Sequence, residues 1–195
     1  MTLLAYRLRK AGLAVPKETT FRERALACLH AWDRYSWQEE RKGYLAGLTP
    51  AGKPLGAGLM PPWNFVYGES SLLPYGRVAA FVAQLDRDTV MQRTANRVAD
   101  VARDTPIPEN ASVAGLGYAL NLALDRWELD RSSTRLTEAR RYAGIACGGF
   151  RHSDGERSYG WAGDRYYESK AGVGDLLAGL LRLDAVETGR ILPGD

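Results

Sequence analysis

The sequence is poor in cysteine, in long apolar runs and in blocks of like charge, and each shortage excludes a class of protein. Cys28 and Cys147 stand far apart in a chain of 195 residues and form no CxxC pair. Neither a thiolate metal site nor a disulfide framework is suggested. A single disulfide between them stays open, and two buried or half-buried thiols are the expectation. No run of about 18 apolar residues occurs, which excludes a membrane-spanning helix. Lys and Arg number 26 against 23 Asp and Glu, a net charge of +3 spread along the chain. Without a cationic block there is no footprint for nucleic acid or for a membrane surface. The N-terminal stretch MTLLAYRLRKAGLAVPKE is broken by Arg7, Arg9 and Lys10, so it does not read as a signal peptide.

What is present fits one sizeable core. The length suffices for it, and the 45% hydrophobic content is that of a globular chain. Residues 3–12 read as an amphipathic helix with Leu4, Leu8 and Ala11 on one face. Such a helix, beginning without a cap, leaves open that residues 1–195 are the C-terminal portion of something longer.

An internal repeat organises the middle of the chain. LDRDTVMQRTANRVADVA (85–102) aligns without a gap on LDRSSTRLTEARRYAGIA (129–146) at an offset of 44 residues. Leu85/Leu129, Asp86/Asp130, Arg87/Arg131, Ala95/Ala139, Arg97/Arg141, Ala99/Ala143 and Ala102/Ala146 coincide. Each copy follows an apolar helical segment, YGRVAAFVAQ or GLGYALNLALDRW. A unit is therefore an apolar inner helix, a short turn and a more polar outer helix, with Asp88 or Ser132/Ser133 as caps. A third, weaker copy opens the chain: LLAYRLRKAGL, then TFRERALACLHAWDRY with Thr19 or Thr20 as cap. Stacked helix pairs predict an all-α solenoid or toroid of one domain. Helices are expected near 3–12, 20–41, 70–84, 88–103, 113–127, 133–146 and 171–183, with a short β-hairpin inside 43–56. The predicted core is Leu26, Leu29, Val78, Phe81, Val82, Val98, Leu116, Leu120, Leu124, Tyr142, Leu176 and Leu180.

In an array of helix pairs the connecting loops carry function. Two are long. The first, 37–76, contains LMPPWNFVYGES, where two prolines forbid helix and Trp63, Phe65 and Tyr67 fall on alternate positions. Those rings either cap the open end of the core or form a stacking platform for sugar rings. The second, GGFRHSDGERSYGWAGDRYYESK, crowds Arg151, His152, Asp154, Arg157, Tyr159, Trp161, Arg165, Tyr166 and Lys170 between glycines. Both loops are expected at one mouth of the array.

Three motifs resemble the C-terminal half of (α/α)-toroid carbohydrate-active enzymes: WDRYSWQEERKGYLAGLTPAGKPL, the repeated helix–DR–helix unit and the closing DRYYESKAGVGDLLAGLLRL. The resemblance is to polysaccharide lyases of the pectate lyase kind, and the closing segment is also similar to the ending of unsaturated uronyl hydrolases. The chain supplies fewer helix pairs than a full ring, so it looks like a partial toroid. The resemblance implies an acidic, uronic-acid-containing polysaccharide or oligosaccharide as partner. In a lyase, a base removes the C5 proton while the carboxylate is neutralised. His152, Tyr159, Tyr166 and Arg151 are the proton-transfer candidates. Trp63, Tyr67 and Trp161 are candidates for stacking, Arg165 and Lys170 for the carboxylate. In the hydrolase alternative Asp154 or Asp164 supplies the acid, and a third reading is a helical-repeat domain that binds without chemistry. A calcium ion held by loop carboxylates is compatible, though no EF-hand spacing occurs. If the chain is a fragment, the resemblance suggests a periplasmic or secreted protein.

The inner-helix assignment is tested at Leu120. Its replacement by Ala should cost about 2–5 kcal/mol in denaturant unfolding, and a loss below about 0.5 kcal/mol would place Leu120 on a surface.

Overall fold

The computed structural model describes Gly12 and residues 18–63, 72–108, 111–149 and 173–190. These are mostly helical, with one small two-stranded hairpin. In chain order the elements are α1 (Glu18–Ser36), β1 (Trp37–Gln38), β2 (Gly43–Tyr44), α2 (Leu72–Asp86), α3 (Thr89–Asp104), α4 (Val113–Asp130), α5 (Ser133–Gly149) and α6 (Val173–Thr188). The expected helix 3–12 lies outside the described residues apart from Gly12.

The 44-residue repeat is a structural one. α2 turns into α3 through Arg87 and Asp88, and α4 into α5 through Arg131 and Ser132. Arg87 and Arg131, equivalent in the repeat, both take the left-handed conformation at φ 54°. That conformation ends a helix and lets the next begin two residues later. Asp88 then caps α3, its Oδ1 accepting from the Val90 and Met91 amides at 2.9 and 3.0 Å. Ser112 caps α4 in the same manner through the Gly115 amide. α1 begins at Glu18, ahead of the expected caps Thr19 and Thr20. Pro74 is accommodated because it occupies the first turn of α2, where its missing N–H has no helical acceptor to lose.

Two layers result. α2, α4 and α6 form an inner row, with α4 between the other two, and α3 and α5 back it as outer helices. The inner helices run parallel. Gly117 and Asn121 of α4 lie against Asp175 and Leu176 at the start of α6, and Arg182 further along α6 reaches Asp125 and Glu128. On the other side Arg77 of α2 meets Asp125, and Gln84, two turns on, meets Glu128. α1 runs alongside α3 in the same sense: His30 contacts Asp88, Asp33 contacts Thr94, and Trp37 lies against Arg97. The inner partner that the weak first copy implies for α1, 3–12, lies outside the described residues apart from Gly12.

Of the predicted core, Val82, Val98, Leu116, Leu120, Leu124, Tyr142 and Leu176 are buried. Leu26, Leu29, Val78, Phe81 and Leu180 are partly buried and pack against them. Small residues set the spacing. A Cβ on Gly117 would lie 2.6 Å from the Leu176 backbone nitrogen, and one on Gly179 would lie 2.8 Å from a Leu120 methyl. On the α2 side a Cβ on Gly76 would lie 2.6 Å from Val98 and 3.0 Å from Leu122.

The helix expected over 20–41 stops at Ser36, and the strand pairing comes earlier than the expected 43–56. Trp37 pairs with Tyr44 and Gln38 with Gly43. Residues 37–41, within the expected helix, are instead strand β1 and part of the hairpin loop. Lys42 turns it at φ 48° and pairs with Glu39. A second narrowing at Leu48 and Pro54 closes a tight turn over Thr49–Gly52, inside the expected span.

Gly117→Ala should therefore cost about 1–3 kcal/mol in denaturant unfolding, because the clash is with backbone and the helices must separate. Gly144→Ala, where nothing lies within 4 Å of the new Cβ, should stabilise by about 0.5–1 kcal/mol. Equal effects at the two sites would refute the close crossing.

Candidate functional site

Because the inner helices are parallel and the outer ones antiparallel to them, the two ends of the array differ. One end carries the two-residue turns at 87–88 and 131–132, together with the start of α1 and the end of α6. At the other end lie the ends of the helices that the connections 37–71, 105–112 and 150–172 join: the C-termini of α1, α3 and α5 and the N-termini of α2, α4 and α6. Trp63 confirms the placement of the first connection. Its indole N–H donates to the Thr105 carbonyl at 3.0 Å, beyond the C-terminus of α3, and its ring lies 5.8 Å from that of Tyr142 on α5.

Trp63 is only 4% exposed. Its faces are occupied by the core, so it caps the helices and offers no open platform for a sugar ring. Tyr67, Arg151, His152, Tyr159, Trp161, Arg165, Tyr166 and Lys170 lie outside the described residues, as do Asp154 and Asp164. The shared mouth expected for 63–67 and 150–170 is accordingly seen only in the helix ends that flank these segments.

The described residues add a polar band that the sequence reading missed. Along α4, Tyr118, Asn121, Asp125 and Glu128 recur at helical spacing on the side away from the outer helices. Arg77 of α2 donates to Asp125 and to Asp175 of α6, both at 3.2 Å. Arg182 of α6 reaches Asp125 at 2.8 Å, Glu128 at 2.9 Å and Asn121 Oδ1 at 2.9 Å. Asn121 in turn donates to the carbonyls of Gly117 and Asp175. Tyr118, next to Gly117 on α4, lies near enough to Asp175 to feel its charge. Burial first, then the Asp175 carboxylate, hold the phenol above its usual range, against the opposing pull of Arg77. The signal was present in GLGYALNLALDRWELD, but the apolar majority of the segment masked its polar stripe.

Two further polar clusters support rather than form the site. Asp33, 4% exposed, accepts from the Tyr44 hydroxyl at 2.8 Å and from Thr94 Oγ1 at 2.7 Å, with Arg93 and Arg97 each 3.6 Å away. This cluster fixes the hairpin, and with it the start of the first long connection, to α1 and α3. Arg97 also stacks over Trp37, 4.4 Å from the ring centre. Deeper in the array, Arg126 is 2% exposed and donates to Asn96 Oδ1 at 2.9 Å and to Glu138 Oε2 at 3.0 Å. Burial pulls its pKa below the ordinary arginine value, with Glu138 opposing.

Among the described residues no group of three His, Cys, Asp or Glu side chains is placed to hold a metal ion, and no helix is long and apolar enough to cross a membrane. Both cysteines are free; Cys147 is half-buried, while Cys28 is exposed on α1, contrary to the expected burial. No protein-family model, curated protein or solved structure matches the chain.

The buried phenols make a pH prediction. Burial pushes Tyr142 up to about 12, and burial with the Asp33 charge nearby holds Tyr44 and Tyr75 well above the ordinary tyrosine range. The unfolded chain loses these protons near pH 10, so their stabilisation is complete below about pH 10 and declines above it. Unfolding free energy should fall between about pH 10 and 12, with Tyr142 contributing about 2 kcal/mol of the loss. Tyr142→Phe should reduce the slope by about a third. A slope unchanged by that substitution would contradict the burial of its hydroxyl.

Proposed function

We propose that the chain is part of an (α/α)-toroid and binds an acidic, uronic-acid-containing polysaccharide or oligosaccharide at the end where the inner helices begin, cleaving it by β-elimination. The observation that carries this reading is the asymmetry of the array. The two-residue turns lie at one end, while the helix ends joined by the long connections lie at the other. One of those connections, 150–172, holds Arg151, Arg157, Arg165 and Lys170 among tyrosines and a tryptophan. Guanidinium and ammonium groups suit a uronate carboxylate. The positive ends of three parallel helix dipoles point to the same side.

In this reading the cations neutralise the carboxylate, which acidifies the C5 proton. One of His152, Tyr159, Tyr166 or Arg151 takes that proton, the C4–O bond breaks as a C4–C5 double bond forms, and the leaving oxygen takes a proton from solvent to become a hydroxyl. Tyr67, Trp161 and the neighbouring tyrosines supply the apolar surface for sugar rings, since Trp63 is occupied in the core. Calcium, if required, is bound by carboxylates of the connection together with the substrate.

The test is incubation with polygalacturonate, with and without calcium, following the ultraviolet absorbance of the unsaturated uronate. A rise in absorbance that Arg165→Ala and Lys170→Ala reduce supports the lyase. Binding without product favours a domain that holds the sugar without chemistry. Turnover restricted to unsaturated oligosaccharides favours the hydrolase, with Asp154 or Asp164 as acid. No binding of any uronan by the folded chain overturns the reading.

A further inference from the structure

Resting on the sugar-binding reading above, we infer that Tyr118 and Asp175, braced by Arg77, contact the hydroxyl groups of the sugar, and that its carboxylates are held elsewhere in the site. The three residues lie near the starts of α2, α4 and α6, at the end that receives the long connections. Arg77 Nε is committed to Asp125 and its Nη1 to Asp175. The surrounding band sets Arg77 and Arg182 against Asp125, Glu128 and Asp175, one negative charge in excess. A uronate carboxylate brought here meets a carboxylate and a guanidinium already neutralised, which is unfavourable. A hydroxyl group, by contrast, can donate to the Asp175 carboxylate beside Arg77 without bringing a second negative charge.

Lacing of the inner row does not by itself account for these two side chains. Asp125, 13% exposed in its side chain, already joins Arg77 of α2 to Arg182 of α6 through α4. Asp175 repeats the Arg77 contact from a side chain that is 35% exposed. It lies in the first turn of α6, where the helix dipole favours a carboxylate. Tyr118 combines a hydroxyl with a partly exposed ring, the pairing of polar tip and apolar face that suits a sugar.

The experiment uses the full chain, trigalacturonate and its methyl ester, with binding followed by calorimetry and folding by thermal melts. Asp175→Asn should weaken both ligands about tenfold and Tyr118→Phe about fivefold. The ratio should be the same for acid and ester, because the contacts are to hydroxyls that both share. Tyr118→Phe keeps the ring, so a melt close to wild type separates lost contact from lost fold. Variants that bind like the wild type overturn this assignment alone. So does an Asp175→Asn protein that binds the acid more tightly and the ester unchanged, which would make Asp175 a mere repulsive neighbour. A wild-type chain that binds neither ligand overturns the sugar-binding reading, and this assignment with it.

Discussion

The close approach of α4 to α6, and of α4 to α2, is the constraint on which the rest of the structure depends. Glycines 117, 179 and 76 remove the side chains that would hold these helices at an ordinary distance; opposite them lie the backbone of Leu176, the side chain of Leu120, and Val98 with Leu122. The tight crossing brings backbone within reach of side chains. Asn121 can donate to the Asp175 carbonyl of a neighbouring helix only because the two backbones lie so near. Arg77 and Arg182 can both reach Asp125 for the same reason. Hence the polar band is a consequence of the packing. A wider inner row would leave these charges to water and each other's screened influence, where exposed ion pairs contribute little.

Much of this was legible in the sequence because the repeat is gapless. An offset of 44 residues that preserves LDR and four alanines or arginines beyond it fixes both the turn and the buried face of the outer helix. Ala95, Ala99, Ala102 and their partners Ala139, Ala143 and Ala146 are all buried. What was not legible has physical reasons. EERK has the composition of a solvated helix face, and nothing local announces that Lys42 turns back toward Glu39. Contacts between distant segments are equally silent in one dimension. Trp63 lies in an aromatic, proline-flanked stretch, and only the position of Thr105 and Tyr142 decides that it faces inward. For the candidate site the sequence located the connections and their charges but overlooked Tyr118, Asp125 and Asp175. A few polar residues in leucine-rich helices do not alter their average character.

The arrangement of turns links fold to function more directly than any single side chain. A left-handed arginine at 87 and at 131 makes each short turn with no residues to spare. That economy forces the outer helix to return beside its inner partner and to end at the opposite side. Freedom in the length of the connections between helix pairs is thereby delivered to one end of the array. Insertions there disturb neither the glycine crossings nor the alanine-lined backs of the outer helices, so that end is where chemistry can be elaborated at least cost to stability.

The two copies differ where they are buried and polar, and the difference is informative. Thr94 and Glu138 occupy equivalent positions in the outer helices, yet their partners come from different places. Thr94 donates to Asp33 of α1, whereas Glu138 accepts from Arg126 of α4. The inner-helix equivalent of Arg126 is Val82, which is apolar and fully buried. A repeat of identical apolar units would allow one pair to stack on either neighbour. A buried carboxylate whose cation exists in one copy only removes that ambiguity, since a shifted register would leave a charge without its partner, a penalty of about 3–5 kcal/mol. The unequal polar partners thus give each helix pair its own address in the stack, and the order of the pairs is what brings the N-termini of α2, α4 and α6 to the same end.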